Sequence, residues 1–214
     1  HGVPLVDICN RQELRRDVIR RGDTILTRDV FKPFAGNPRM EFYLATTDPD
    51  GNPTTGITRN AGNPGVLGYN PFTDNMKATS TGGLDPWPTD RYVNVWVCNL
   101  FFGLGVLGYS FPPDNAPNWP NGSTTDSAKQ GVVVHYPVVG RNFSAPLDPS
   151  VSRGRTLVHE LGHYFGLRHI WGDGDCTVDD GISDTPDADA AHQQTCDTAS
   201  NTCVETPFDF PDMI

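Results

Sequence analysis

The chain has 214 residues and a formal net charge of −10 at neutral pH, which argues against nucleic acid and against an anionic membrane surface as partners. No run approaches about 18 consecutive apolar residues, so the sequence offers no membrane-spanning helix. Hydrophobic residues make up only 36%, while 22 Gly and 19 Pro imply much irregular backbone between few regular elements, in one domain long enough to bury an adequate core.

In chain order, Asn10-Arg11-Gln12-Glu13 reads as a capping box that opens a helix running to about Asp29. Leu14, Val18, Ile25 and Leu26 would face inward, and Arg11, Arg15, Arg16 and Arg20 form a solvated face. Met40-Glu41-Phe42-Tyr43-Leu44-Ala45 reads as a strand. Residues 51–87 are rich in Gly, Pro, Asn and Thr and predict a long surface loop. A buried strand is expected at about 91–98, apolar on both faces, with Cys98 as a buried free thiol. A shorter strand follows near Val106-Leu107-Gly108-Tyr109-Ser110-Phe111, and another at Gly131-Val132-Val133-Val134-His135-Tyr136, with His135 in a structural role. Next comes a long helix in which Leu157, Val158, Leu161 and Phe165 recur at helical spacing, with Asp148 and Pro149 as cap and first-turn residues. Helix, strands and helix predict an α/β sandwich with a mixed sheet.

That last helix carries His159-Glu160-Leu161-Gly162-His163-Tyr164-Phe165-Gly166-Leu167-Arg168-His169. Histidines four apart stand on one helix face, so His159 and His163 can reach one ion. Glu160, rotated by about 100°, lies beside the ion rather than on it, where a general base for an activated water is needed. Gly166 permits the left-handed turn that ends the helix and returns His169 as a third nitrogen. Three protein ligands leave a fourth position of zinc open, the arrangement of a catalytic site rather than a structural one.

Beyond the motif, Asp173-Gly174-Asp175-Cys176-Thr177-Val178-Asp179-Asp180 begins an acidic stretch that reaches Asp184, Asp187 and Asp189. It reads either as a solvated acidic loop or as a calcium loop, and it lacks EF-hand spacing. Of five cysteines, Cys176, Cys196 and Cys203 fall in this loop-rich region, where a disulfide is the natural staple and implies an oxidising compartment. The odd count leaves at least one cysteine unpaired or paired outside the chain.

The extended histidine motif from Thr156-Leu157-Val158 onward, Trp96-Val97-Cys98-Asn99-Leu100 ahead of Leu107-Gly108-Tyr109, and Asp184-Thr185-Pro186 together resemble the pappalysin-type metzincins, secreted zinc endopeptidases. The resemblance covers about residues 90–214 and, more loosely, the first helix. It implies a metzincin-like α+β fold: a mixed twisted sheet with one antiparallel edge strand, two long helices and a loop-rich lower lobe. Residues 1–214 would be a single catalytic domain, with the upper lobe at about 1–166 and the lower lobe starting at about 167–214. It further implies zinc on His159, His163 and His169, Glu160 as general base and acid, and calcium on Asp180, Thr185 and Asp189. Cys176 would pair with Cys203, and Cys196 with a partner beyond the chain. Leu107, Gly108, Tyr109 and Ser110 would be the edge strand to which a peptide adds as one more strand.

Two features depart from the family pattern. No Met-Asp-Tyr Met-turn occurs, and Met213 resembles the residue just before it; only Val3-Pro4-Leu5-Val6 could supply the family's first strand. The expectation is therefore a domain cut at both ends, or one completed by a propeptide or a second chain. A secreted zinc endopeptidase acting on proteins or peptides is the reading that follows. Its alternatives are a catalytically incompetent zinc- and calcium-binding fragment and a metzincin of another subfamily.

Overall fold

The computed structural model describes residues 40–65, 67–117, 119, 125–139, 154–182, 185, 187–191 and 202–203. The expected first helix, the Val3–Val6 segment, the Asp148-Pro149 cap, Cys9, Cys196 and Met213 lie outside the described residues.

Among the described residues, three strands form one mixed sheet in the order β1-β3-β2, with β1 at Val95–Cys98, β2 at Gly108–Phe111 and β3 at Gly131–His135. β1 runs parallel to β3, with Val95 opposite Val132 and Cys98 opposite His135. β2 runs antiparallel on the other side of β3, with Gly108 opposite Val134 and Phe111 opposite Gly131. Among the described residues the sheet is thus mixed, with an antiparallel strand at one edge. All of β3 is buried, as its uninterrupted apolar run requires of a central strand covered on both faces.

Alternation along the strands divides the core into two layers. Val95, Val132 and Val134 pack against helix α1 (Arg155–Tyr164) through Leu157, Leu161 and Tyr164, with Val138 and Val139 closing the layer. On the opposite face, Trp96 and Val133 pack with Tyr69, Met76 and Leu100. The expected surface loop of 51–87 is therefore irregular in backbone but supplies the second core layer. Tyr69, Met76 and Trp87 are all buried.

Two readings of the sequence are corrected here. Residues 40–45 form no strand; Met40, Phe42 and Tyr43 stand exposed, because β-propensity becomes a strand only where a partner edge accepts the hydrogen bonds. Val158 on α1 and Phe165, the cap residue after it, are also exposed, and Tyr164 completes the buried stripe with Leu157 and Leu161. Spacing of three and four from Leu157 selects that stripe, and Val158 and Phe165 fall one position off it.

Asn94 joins the irregular layer to the sheet. It is fully buried, accepts from the Trp87 N–H at 2.9 Å and donates to the Trp87 carbonyl at 2.8 Å. Its own carbonyl accepts from Val132 at 2.9 Å, at the head of β3. Asn94→Ala should lower unfolding free energy by about 1–3 kcal/mol, since two buried hydrogen bonds to Trp87 are lost. Urea denaturation monitored by tryptophan fluorescence measures it, and a change under about 0.5 kcal/mol would contradict this role.

Candidate metal and catalytic site

The site is assembled by the way α1 ends. Gly166 takes φ +92°, the Gly166 N–H bonds to the His163 carbonyl at 2.9 Å, and the Leu167 N–H reaches the Gly162 carbonyl at 3.0 Å. This pair of bonds around a left-handed residue is a Schellman closure. It reverses the chain in three residues and returns His169 to the helix face that carries His159 and His163. A Cβ on Gly166 would lie 2.8 Å from the Pro117 carbonyl, so conformation and space both demand glycine there.

The three expected histidines converge, and they are the only group of three or more His, Cys, Asp or Glu side chains that does so among the described residues. His163 Nε2 lies 3.0 Å from His159 Nε2 and 3.1 Å from His169 Nε2. The His163 Nδ1 faces the Leu167 carbonyl at 2.7 Å, and the His169 Nδ1 faces Asp173 Oδ1 at 2.6 Å. A carbonyl and a carboxylate only accept, so both rings carry their proton on Nδ1 and present a bare Nε2 lone pair. Two such lone pairs at 3.1 Å repel unless a cation lies between them. Nitrogens held at about 2.0–2.1 Å around a tetrahedral zinc stand about 3.3 Å apart, close to the spacing seen. The donor set therefore fits a zinc-sized ion. Protein atoms packed around His159, together with His163 and His169, lower its proton affinity to about 4, although one edge of the ring opens to the cleft. Burial lowers His163 in the same direction. Both rings thus remain neutral ligands at physiological pH.

Glu160 is 6% exposed, and burial pushes its carboxyl up to about 8. It lies under the edge strand β2: a Cβ on Gly108 would come within 3.0 Å of Glu160 Oε1 and 2.9 Å of its Cγ. Gly108 therefore leaves the room that the carboxylate occupies. The rest of β2 is fixed from the far side of the sheet. Tyr109 donates its hydroxyl to Asp74 Oδ1 at 2.6 Å, and burial first, then that bond, raises its pKa. Lys77 lies over the Phe111 ring at 4.3 Å and the Tyr109 ring at 4.8 Å, paired with Asp74 at 3.2 Å. Burial pushes Lys77 down to about 8 against the pull of Asp74.

Elsewhere, His135 has the structural role expected of it: its Nδ1 accepts from the Leu100 N–H at 3.1 Å, and burial lowers its pKa. Cys98 is a free thiol on β1, raised to about 12 by burial. Cys176 and Cys203 are joined by a disulfide across 27 residues. Of the expected calcium residues, Asp180 is buried and accepts from the Ile182 N–H at 2.8 Å, whereas Asp189 is exposed. Sequence reasoning missed Asp74, Lys77 and Trp171, and it placed Asp173 in the acidic loop rather than beside a histidine. The one signal for Asp173 was its position four residues after His169.

A sheet with an antiparallel edge, a helix beneath it and three histidines closed by a glycine turn define a metallopeptidase architecture. Residues 80–213 match the family described as Pregnancy-associated plasma protein-A, and the chain belongs to this family, the pappalysins. An extracellular metalloprotease of Podospora anserina is 31% identical over 108 residues, 49% of this chain and 34% of the relative. One from Colletotrichum graminicola is 39% identical over 112 residues, 51% and 37% of the two. The aligned stretch thus spans about a third of these curated relatives. Among solved structures, mature mirolysin of Tannerella forsythia in complex with a cleaved peptide superposes with a TM-score of 0.76 at 35% identity, covering 100% of this chain and 77% of that one. A promirolysin mutant from the same organism gives 0.71 at 34%, covering 95% and 65%.

Gly166→Ala should disturb both fold and site, costing about 1–2 kcal/mol for a left-handed alanine before the contact with Pro117 is counted. Urea unfolding and zinc stoichiometry by elemental analysis check it; unchanged values for both would contradict the role given to this turn.

Proposed function

We propose that the chain is the catalytic part of a secreted zinc-dependent endopeptidase that hydrolyses peptide bonds in proteins. The observation that carries this reading is the convergence of the His159, His163 and His169 side chains, with the buried Glu160 following His159 on α1 and lying against Gly108 of β2. His159, His163 and His169 would hold zinc, which would supply Lewis acidity toward a carbonyl and a water. A peptide adds as one more strand along Leu107, Gly108, Tyr109 and Ser110, at the side of β2 away from β3. Glu160 takes a proton from water as its oxygen bonds to the scissile carbon, and delivers that proton to the nitrogen as the C–N bond breaks. Burial that raises its proton affinity suits both halves of this exchange. Secretion is supported by the disulfide and by the relatives named extracellular metalloproteases, and no helix among the described residues is long and apolar enough to cross a membrane. The chain is read as one catalytic domain, with an upper lobe at about 1–166 and the start of a lower lobe at about 167–214.

Calcium is the structural ion of the acidic loop, on Asp180, Thr185 and Asp189. The buried carboxyl of Asp180, pushed up by burial, is the feature that supports it, since a cation would offset that cost.

Glu160→Ala should retain one zinc per chain and lose peptide hydrolysis by at least about 10²-fold in kcat, because the carboxylate moves protons but is not a ligand. Loss of zinc from this variant, with zinc and activity both retained by His169→Ala, would reverse the roles assigned. Calcium at about a hundred times its dissociation constant should add about 2.7 kcal/mol to stability. Thermal unfolding with a calcium-selective chelator tests this, and an unmoved midpoint with no bound calcium returns the segment to a solvated loop.

A further inference from the structure

Asp173 stands apart from the acidic loop in which its sequence neighbours place it. Its Oδ1 lies 2.6 Å from His169 Nδ1, and its backbone takes φ +62°, a left-handed conformation uncommon outside glycine. Gly172 beside it is also left-handed at φ +58°, and a Cβ there would meet the Val178 carbonyl at 2.7 Å and the Asp179 carbonyl at 2.8 Å. The Gly172 N–H returns to the His169 carbonyl at 2.8 Å, and the Gly174 N–H to the Trp171 carbonyl at 2.9 Å. Arg168 closes the turn, donating to the carbonyls of Asp179, at 3.0 Å, and Gly172. Trp171 lies flat on His169, with centroids 4.2 Å apart and planes 6° from parallel. Glycine takes this conformation freely, so the cost falls on Asp173, whose carboxylate is aimed at the imidazole that the Trp171 indole covers.

We propose that Asp173 is a positioning residue for His169: it holds the Nδ1–H proton, and with the Trp171 stack it fixes the ring plane so that Nε2 points at the site shared with His159 and His163. This rests on the reading that the triad holds zinc. A carboxylate on the far nitrogen makes the imidazole a better donor and restricts its rotation, so it acts on metal retention before any chemistry. The Asp173 oxygen that faces His169 is correspondingly withheld from the cation loop downstream.

The test compares the parent chain with Asp173→Gly and Asp173→Asn. Glycine adopts the left-handed backbone without strain and deletes the carboxylate; asparagine tolerates the same backbone and keeps a neutral acceptor. Zinc affinity is read by competition with a chromophoric chelator, and ligand geometry by the visible absorption of the cobalt(II) form. Asp173→Gly should weaken zinc by about tenfold, the low end of effects for such partners, because the Asp173 side chain is 57% exposed. Its cobalt bands should shift, and asparagine should show a smaller loss and a smaller shift. Glycine affinity within about twofold of the parent overturns the proposal. If the glycine variant does not fold, asparagine decides alone, and affinity and bands identical to the parent's overturn it. A parent chain that cleaves peptides but shows no dependence of zinc on Asp173 removes only this inference. One that binds zinc with the expected ranking yet cleaves nothing removes only the peptidase reading.

Discussion

Everything in the cleft depends on the left-handed turn at Gly166. A helix can align His159 and His163 on one face, but its geometry carries a residue ten positions beyond His159 about 15 Å along the axis, far out of reach. The Schellman closure cancels that advance. The same reversal brings the Leu167 carbonyl to His163 Nδ1 at 2.7 Å, so one turn both recruits the third nitrogen and sets the tautomer of the second. Pro117 fills the space that any side chain at Gly166 would need, which ties the turn to the segment after β2.

The sheet supplies the other half of the site by an unusual division of labour. β2 faces the helix at Gly108, where the absence of a side chain accommodates Glu160, and faces away at Tyr109 and Phe111, where Asp74 and Lys77 hold it. A buried ammonium between aromatic rings is expensive unless paired. Here Asp74 and the Lys129 carbonyl, at 2.7 Å, provide the partners, and the rings add attraction to the cation. Among the described residues, β2 is thereby anchored from behind on the side that β3 does not cover.

The histidine segment was legible because its chemistry is local: helical spacing for His159 and His163, a glycine for the reversal, and His169 within reach of it. The order of strands along the chain was legible from apolar runs at 91–98, 106–111 and 131–136. Residues 40–45 misled because a strand needs a partner edge, and composition does not report one. The loop of 51–87 misled in the other direction: Gly, Pro and Asn mark irregular backbone, but Met76, Tyr69 and Trp87 within it are core residues, and irregular chain can cover a sheet as well as a helix can.

The sequence by itself determined the three histidines that converge, the glutamate that follows the first of them and the glycine that turns the chain back, because each follows from spacing within a few residues. Tertiary structure alone decided the far nitrogens' partners, the closeness of Gly108 to Glu160 and the seat of Lys77. Those contacts join residues brought together by packing, such as Gly108 with Glu160 or Lys77 with Lys129, or depend on backbone dihedrals, as at Asp173. Neither kind of information is carried by residue type and interval, which is why Asp173 read as one more charge in an acidic loop until its left-handed backbone aimed it at His169.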